Sequence, residues 1–345
     1  MAIADLGDGR PHASIVVLNY NGERYLGPCL RSVLASDYPS FEVIVVDNAS
    51  TDRSLELLAP YGSRVRLIQN PRNLLSTRGL NPGIRAARAP IVVLLDSDTE
   101  VRPSWLGELI RPIQLDPEVA ITGSKLLYPD GVHIQHAGGF TVFNAIAGHY
   151  GSGEVDRGKW DEERDVEYVT GAATAIRVAL LRQVGGGLSE VFPFYYEDCD
   201  ICHQARRLGY RVLYVPSSVA VHHESVGMGR GSLRYLFNLH RGRARFLAKN
   251  LPIAHIPRAV RVELIWLWRG ARRLDQWFPV ALAYAAVIPA LPAILRSRLA
   301  MREVVRSRRT ALAPPEGAEV VFRSRHHRAA RALPATHEPA GQQRS

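Results

Sequence analysis

The stretch FYYEDCDICH, residues 194–203, sets Glu197, Asp198 and Asp200 among Cys199, Cys202 and His203. C-x-x-C-H is the spacing of a covalent haem site, and the cysteine pair alone can ligate zinc or exchange disulfides. The alternative is carboxylate chemistry, with a carboxylate taking a proton from a reacting hydroxyl. A second acidic pair, Asp96-Ser97-Asp98, follows the apolar run Val92 to Leu95. Two carboxylates one residue apart, just past a buried strand, can converge on a hard cation such as Mg²⁺ or Mn²⁺. The same residues also suit a solvated turn. Asp47 ends another apolar run, where an acidic group can accept hydrogen bonds from a base or ribose. Thr51 or Asp52 beyond it can cap the next helix. His222 and His223 close the run VAVHH, which favours a ligand role for one of them. His133 and His136, among glycines, read as loop packing.

These residues need elements to hold them. SIVVL (14–18), FEVIVVD (41–47), VRLIQN (65–70) and APIVVLLDSD (89–98) read as strands. Helical segments fall between them: 23–36, SLELLAPYG closed by Gly62, and 79–88 with Pro82 near its start. Continuous apolar strands alternating with helices predict a parallel sheet covered on both faces. Ligands then bind beyond the carboxyl ends of the strands, where Asn19, Asn21, Asp47, Asp96 and Asp98 fall. Further on, 104–113, ALLRQVGG and DICHQARRLGY read as helices, and 121–170 as mixed strands and glycine-rich turns. RVLYVP and VAVHH read as two short strands. From 231 the pattern is helical and basic.

Composition narrows the choices. The chain has 345 residues, a net charge of +10 and three cysteines. So few cysteines fit a reducing compartment, and the N-terminus has no secretory pattern; both count against haem. Zinc needs about four ligands, and the third cysteine, Cys29, lies far away in sequence. Cys199 and Cys202 are therefore expected to pack as small apolar residues. Glu197 and Asp198 sit at a helix start, where a carboxylate is stabilised. Asp198 or Asp200 also reads as a helix cap. There is no G-x-G-x-x-G or Walker A sequence.

The ordered set SIVVLNYNG, FEVIVVDNASTD, RGLNPGIRAA, VVLLDSD, VTGA, YYEDCDICHQARRLGY and VAVHHESVG resembles the inverting family 2 glycosyltransferases. It is most similar to rhamnosyltransferase-like bacterial members that build cell-surface polysaccharide. The resemblance covers about 13–250 and implies a GT-A fold: a mostly parallel central sheet flanked by helices, with a C-terminal helical extension. It implies Asp98 and His222 as metal ligands for Mg²⁺ or Mn²⁺, and Asp96 at the ribose and diphosphate. Asp47 would contact the base, with Asn19, Asn21, Arg78 and Asn81 near the nucleotide. Glu197 would stand on the acceptor side and Asp198 would be the general base. The implied partners are a dTDP- or UDP-sugar and a glycan or lipid-linked acceptor, at the inner face of the cell membrane.

The expected organisation is a tail (1–12), a catalytic domain (13–228), a basic helical region (229–310) and a disordered tail (311–345). PVALAYAAVIPALPAIL, 279–295, is short of the ~20 residues of a spanning helix. With arginines on either side it suits lodging on an anionic membrane surface, or a buried place in a helical bundle. A rival class, a basic nucleic-acid-binding protein, rests on the arginines of 230–249 and 296–331 and lacks any matching motif.

Overall fold

The structure, a computed structural model, describes residues 11–142, 145–223, 232–259, 261–262, 265 and 274–312. Strands and helices alternate through the first half: β1 (Ala13–Asn19), α1 (Leu26–Leu34), β2 (Phe41–Asp47), β3 (Val65–Gln69), α2 (Leu75–Ala86) and β4 (Ile91–Asp96). β5 (Thr99–Val101), α3 (Trp105–Leu115), β6 (Val119–Leu127), β7 (Ile134–His136), β8 (Gly139–Thr141), β9 (Ala147–His149) and β10 (Arg164–Asp165) follow. Then come β11 (Ala173–Arg177), α4 (Val178–Gln183), α5 (Glu197–Arg207), β12 (Arg211–His222), α6 (Leu233–Asn250), α7 (Leu274–Ala285) and α8 (Leu291–Leu312).

The central sheet runs β10-β12-β6-β11-β4-β1-β2-β3, with β5 on β12 and β7 on β6. β4, β1, β2 and β3 are mutually parallel, as the apolar runs predict, and β11 enters antiparallel between β4 and β6. Side chains alternate between two buried layers, as the period of a strand requires. Val16, Ile44, Val92 and Leu94 pack in one layer, which includes residues of α2, α4 and α5. Ile15, Val45, Val93 and Leu95 pack in the other, with α1 and α3. α2 lies close on β1 because Gly83 has no side chain; a Cβ there would meet Val16 Cγ1 at 2.5 Å. This is the GT-A fold expected from the sequence.

Four local expectations change. SLELLAPYG belongs to a 3-10 segment, Arg53–Arg64, interrupted at Gly62 (φ 52°), with Asp52 as its cap. Pro82 lies well inside α2, because the helix starts earlier, at Leu75. RVLYVP and VAVHH form one strand, β12, whose pairing with β6 shifts between Val215 and Val219. Residues 279–295 belong to the longer helical stretch Phe278–Ser307, apolar enough by length and composition to cross a membrane.

The arginines of α6 do not form a solvent-facing stripe. Arg243 reaches the Tyr284 hydroxyl at 2.7 Å, and Arg245 donates to the Val191 carbonyl at 2.8 Å. Packing of α7 against α6, not nucleic acid, accounts for Arg243. The tail from 313 onward, most of the segment VELIWLWRGARRL, and Glu224-Ser225 lie outside the described residues.

Candidate active site

The carboxyl ends of β1, β2 and β4 are neighbours, and each presents a polar residue. Asn19 and Asp47 are buried, and the Asn19 amide donates to Asp47 Oδ1 at 2.9 Å. Asp47 also accepts from the Ser50 backbone N–H at 3.0 Å and its hydroxyl at 2.6 Å. Asn21 is exposed at φ 52° and accepts from Thr51 N at 2.8 Å. Together these bonds fix the loops after β1 and β2 against each other. Gly22 closes the packing: a Cβ there would lie 2.3 Å from Asn19 Oδ1 and 3.6 Å from Ser97 Oγ.

Asp96 ends β4, and Asp98 leads into β5. β5 pairs antiparallel with the end of β12, so that His222 stands opposite Thr99. His222 Nε2 lies 3.3 Å from Asp98 Oδ1 and 3.7 Å from Asp96 Oδ2. One ligand atom from each residue falls within 4.8 Å of the others, a group that could hold a metal ion. On the other side of the ring, His222 Nδ1 lies 2.7 Å from Gln135 Oε1. The Gln135 amide nitrogen faces the His222 carbonyl, which turns its oxygen toward the ring. Nδ1 therefore carries a proton, and Nε2 is turned toward the two carboxylates. Two carboxylates and a ring nitrogen at such distances can share a cation, or a proton on Nε2. The two carboxylates suit a hard divalent cation, and the imidazole nitrogen makes Mg²⁺ a poorer fit than Mn²⁺. Desolvation by the surrounding protein and the Asp98 charge raise Asp96, whose side chain is still 51% exposed, and His222 pulls it down. His223 goes elsewhere, to Glu100 at 2.9 Å.

α5 brings in the second acidic pair. Tyr195 and Tyr196 precede it with φ of 60° and 69°, left-handed values that cost non-glycine residues energy. Packing enforces them. The Tyr196 hydroxyl donates to the Ala145 carbonyl at 2.7 Å, and α6 approaches so closely that a Cβ on Gly242 would sit 2.7 Å from the Tyr195 carbonyl oxygen. Glu197 Oε1 accepts from the Ser76 hydroxyl at 2.6 Å. Burial first, then the Asp198 charge, pushes Glu197 up to about 8. Asp198 is raised by burial and opposed by backbone donors, among them Cys199 N at 2.7 Å. Asp198 also helps raise Asp96, so the two acidic pairs feel each other.

The remaining sequence candidates fall as follows. Arg78 pairs with Glu190 at 3.1 Å. The Asn81 amide donates to the Leu188 carbonyl at 3.0 Å and accepts from its N–H at 2.9 Å. Both residues thus tie α2 to the 188–190 loop, and among the described hydrogen bonds neither reaches the acidic cluster. Asp200 does not cap α5. It is buried, 2.6 Å from Lys249 Nζ and 2.9 Å from Asn250 Nδ2 on α6. Cys199 and Cys202 are buried in the core, Cys199 with its thiol bonded to Asp198, and burial pushes the Cys202 thiol up to about 12. His136, in β7, is also buried and contacts His149. Gln135 and Ser76 were not legible as site residues: each is a lone polar side chain in a segment without a motif.

Residues 14–183 match the model of the family Glycosyl transferase family 2. The chain is 31% identical to the O-antigen biosynthesis protein RfbC of Myxococcus xanthus, over 63% of this chain and 18% of that protein. It is 26% identical to the N-acetylglucosaminyl-diphospho-decaprenol L-rhamnosyltransferase of Mycobacterium tuberculosis, over 68% of this chain and 83% of that one. It spans about a quarter or less of the length of RfbC and of another curated relative, from Sinorhizobium fredii. The crystal structure of GalNAc-T7 with UDP, GalNAc and Mn²⁺ superposes with a TM-score of 0.56 at 17% identity, covering 70% of this chain and 48% of that one. At that identity the likeness concerns the fold.

Proposed function

We propose that this chain transfers a sugar from a nucleotide diphosphate donor to a hydroxyl acceptor, with inversion, in the synthesis of a bacterial surface polysaccharide. The observation that carries the reading is the convergence of Asp96, Asp98 and His222 within electrostatic reach of Asp198. A divalent cation on Asp98 and His222 would neutralise the leaving diphosphate. Asp96 would orient the ribose and diphosphate, and Asp47, with Asn19 and Asn21 behind it, would meet the base. Asp198 accepts the proton of the acceptor hydroxyl as that oxygen attacks the anomeric carbon. Attack from the face opposite the leaving group inverts the centre in one displacement, without a covalent intermediate.

Rhamnose is favoured by the mycobacterial relative, an L-rhamnosyltransferase, and a dTDP- or UDP-sugar is the donor that the motif set implies. The acceptor would be a glycan or a lipid-linked sugar, at the inner face of the cell membrane. The deciding experiment screens nucleotide sugars for diphosphate release, with Mn²⁺ or Mg²⁺ and with chelator. Release from at least one donor, lost with chelator, is the expected result. Release unaffected by chelator would remove the cation, and no release from any donor in the presence of acceptor extract would remove the reaction.

A further inference from the structure

α7 and α8 pack on α6 through one side only. Val280, Ala283, Ile294 and Met301 are buried, whereas Phe278, Leu282, Ile288, Leu291, Leu295 and Leu299 are exposed. Phe278 is 74% and Ile288 67% exposed. Single exposed leucines are ordinary, but a contiguous apolar face marks an interaction surface. Its charge points to the partner. From Phe278 to Arg306 the one acidic residue is Glu303, against the exposed Arg296, Arg302 and Arg306 on α8. An apolar face edged by arginines matches acyl chains beneath anionic phosphates.

Length and composition alone would let Phe278–Ser307 cross a membrane. The fold argues otherwise. Arg298 donates to the carbonyls of Ala248 at 3.0 Å and Leu251 at 2.7 Å, and Tyr284 is bonded to Arg243. A 3-10 turn, Ile288–Ala290, with Pro289 in it and Pro292 just beyond, interrupts the helical run. Spanning would strip these contacts from α6 and carry Arg298 into hydrocarbon.

We propose that the outer face of α7 and α8 lies flat in the interface of an anionic lipid bilayer. The six apolar side chains enter the acyl boundary, and Arg296, Arg302 and Arg306 meet headgroup phosphates. The proposal uses neither Asp98 nor Asp198, so it stands or falls apart from sugar transfer.

Flotation of the full chain with phosphatidylcholine vesicles, with and without phosphatidylglycerol, tests it. The chain should float with phosphatidylglycerol at low salt. Ile288→Asp with Leu295→Asp should lower the bound fraction ~10-fold or more, through lost apolar burial. Arg296→Glu with Arg302→Glu should abolish the preference for phosphatidylglycerol. Leu299→Gln, a milder change, decides the matter if the aspartate pair fails to fold. Wild-type protein that stays at the bottom would overturn the proposal, as would variants that float like wild type. So would light scattering that shows a lipid-free dimer broken by these substitutions, since a second copy would then cover the face. Protein that survives a carbonate wash of the vesicles spans the bilayer, and the flat placement is wrong.

Discussion

Gln135 accepts a hydrogen bond from His222 Nδ1 at 2.7 Å, and this contact decides which face of the imidazole meets Asp98. Partners on the far nitrogen of a ligating histidine typically account for ~10–100-fold in metal affinity. Gln135→Leu should therefore raise the Mn²⁺ needed for nucleotide-dependent thermal stabilisation by about that factor. Asp98→Ala should remove the Mn²⁺ dependence altogether while the metal-free melting point stays near wild type. An unchanged Mn²⁺ titration in Gln135→Leu would mean that His222 is not a ligand.

Asp198→Asn keeps the shape of the side chain but cannot take a proton. Transfer should fall by ~10²–10⁴ while nucleotide and Mn²⁺ binding persist. Cys199→Ser, whose hydroxyl can keep the bond to Asp198, and Cys202→Ser should retain transfer, with some loss of stability at the apolar Cys202 site. Near wild-type turnover by Asp198→Asn would require another base.

Glu197 provides a pH signature. Its folded value, about 8, lies above the ordinary 4.5, so the folded chain holds this proton where the unfolded chain has lost it. The stability it contributes is full below about pH 4.5 and is lost as pH rises through about 8. In chelator, the melting point of wild type should fall over that window more steeply than that of Glu197→Gln. Parallel curves would show an ordinary, solvated carboxyl.

Lys249 and Asp200 form an ion pair with side chains only 2% and 1% exposed. Lys249→Met leaves a buried charge without its counterion and should cost ~3–5 kcal/mol in urea unfolding. Adding Asp200→Asn should recover part of that loss. If Lys249→Met costs under ~1 kcal/mol, the pair behaves like a surface salt bridge.

What the sequence made legible was the part encoded locally. Apolar runs ending in Asp47 and Asp96 announce parallel strands and the polar residues at their tips. Glu197 and Asp198 announce a helix start. The rest depends on partners distant in sequence. Gln135 meets His222 only because β7 and β12 both flank β6. Asp200 resembled a cap until α6 supplied Lys249. Arg78 and Asn81 are held by Glu190 and Leu188, partners more than a hundred residues further on. The 3-10 character of Arg53–Arg64 follows from Pro60 and Gly62, which a helical pattern masks.

The shifted pairing within β12 has a further consequence. Val215 pairs with Ser124 and Val219 with Lys125, so residues 216–218 are extra on this strand. A strand that slips by one residue exchanges its faces. Removing one of the three would draw His223 into the place of His222, whereas adding one would push Val221 there. The doublet HH thus makes the site asymmetric to changes in chain length. A deletion that slips the strand still delivers an imidazole to Asp98, and an insertion that slips it delivers a hydrocarbon.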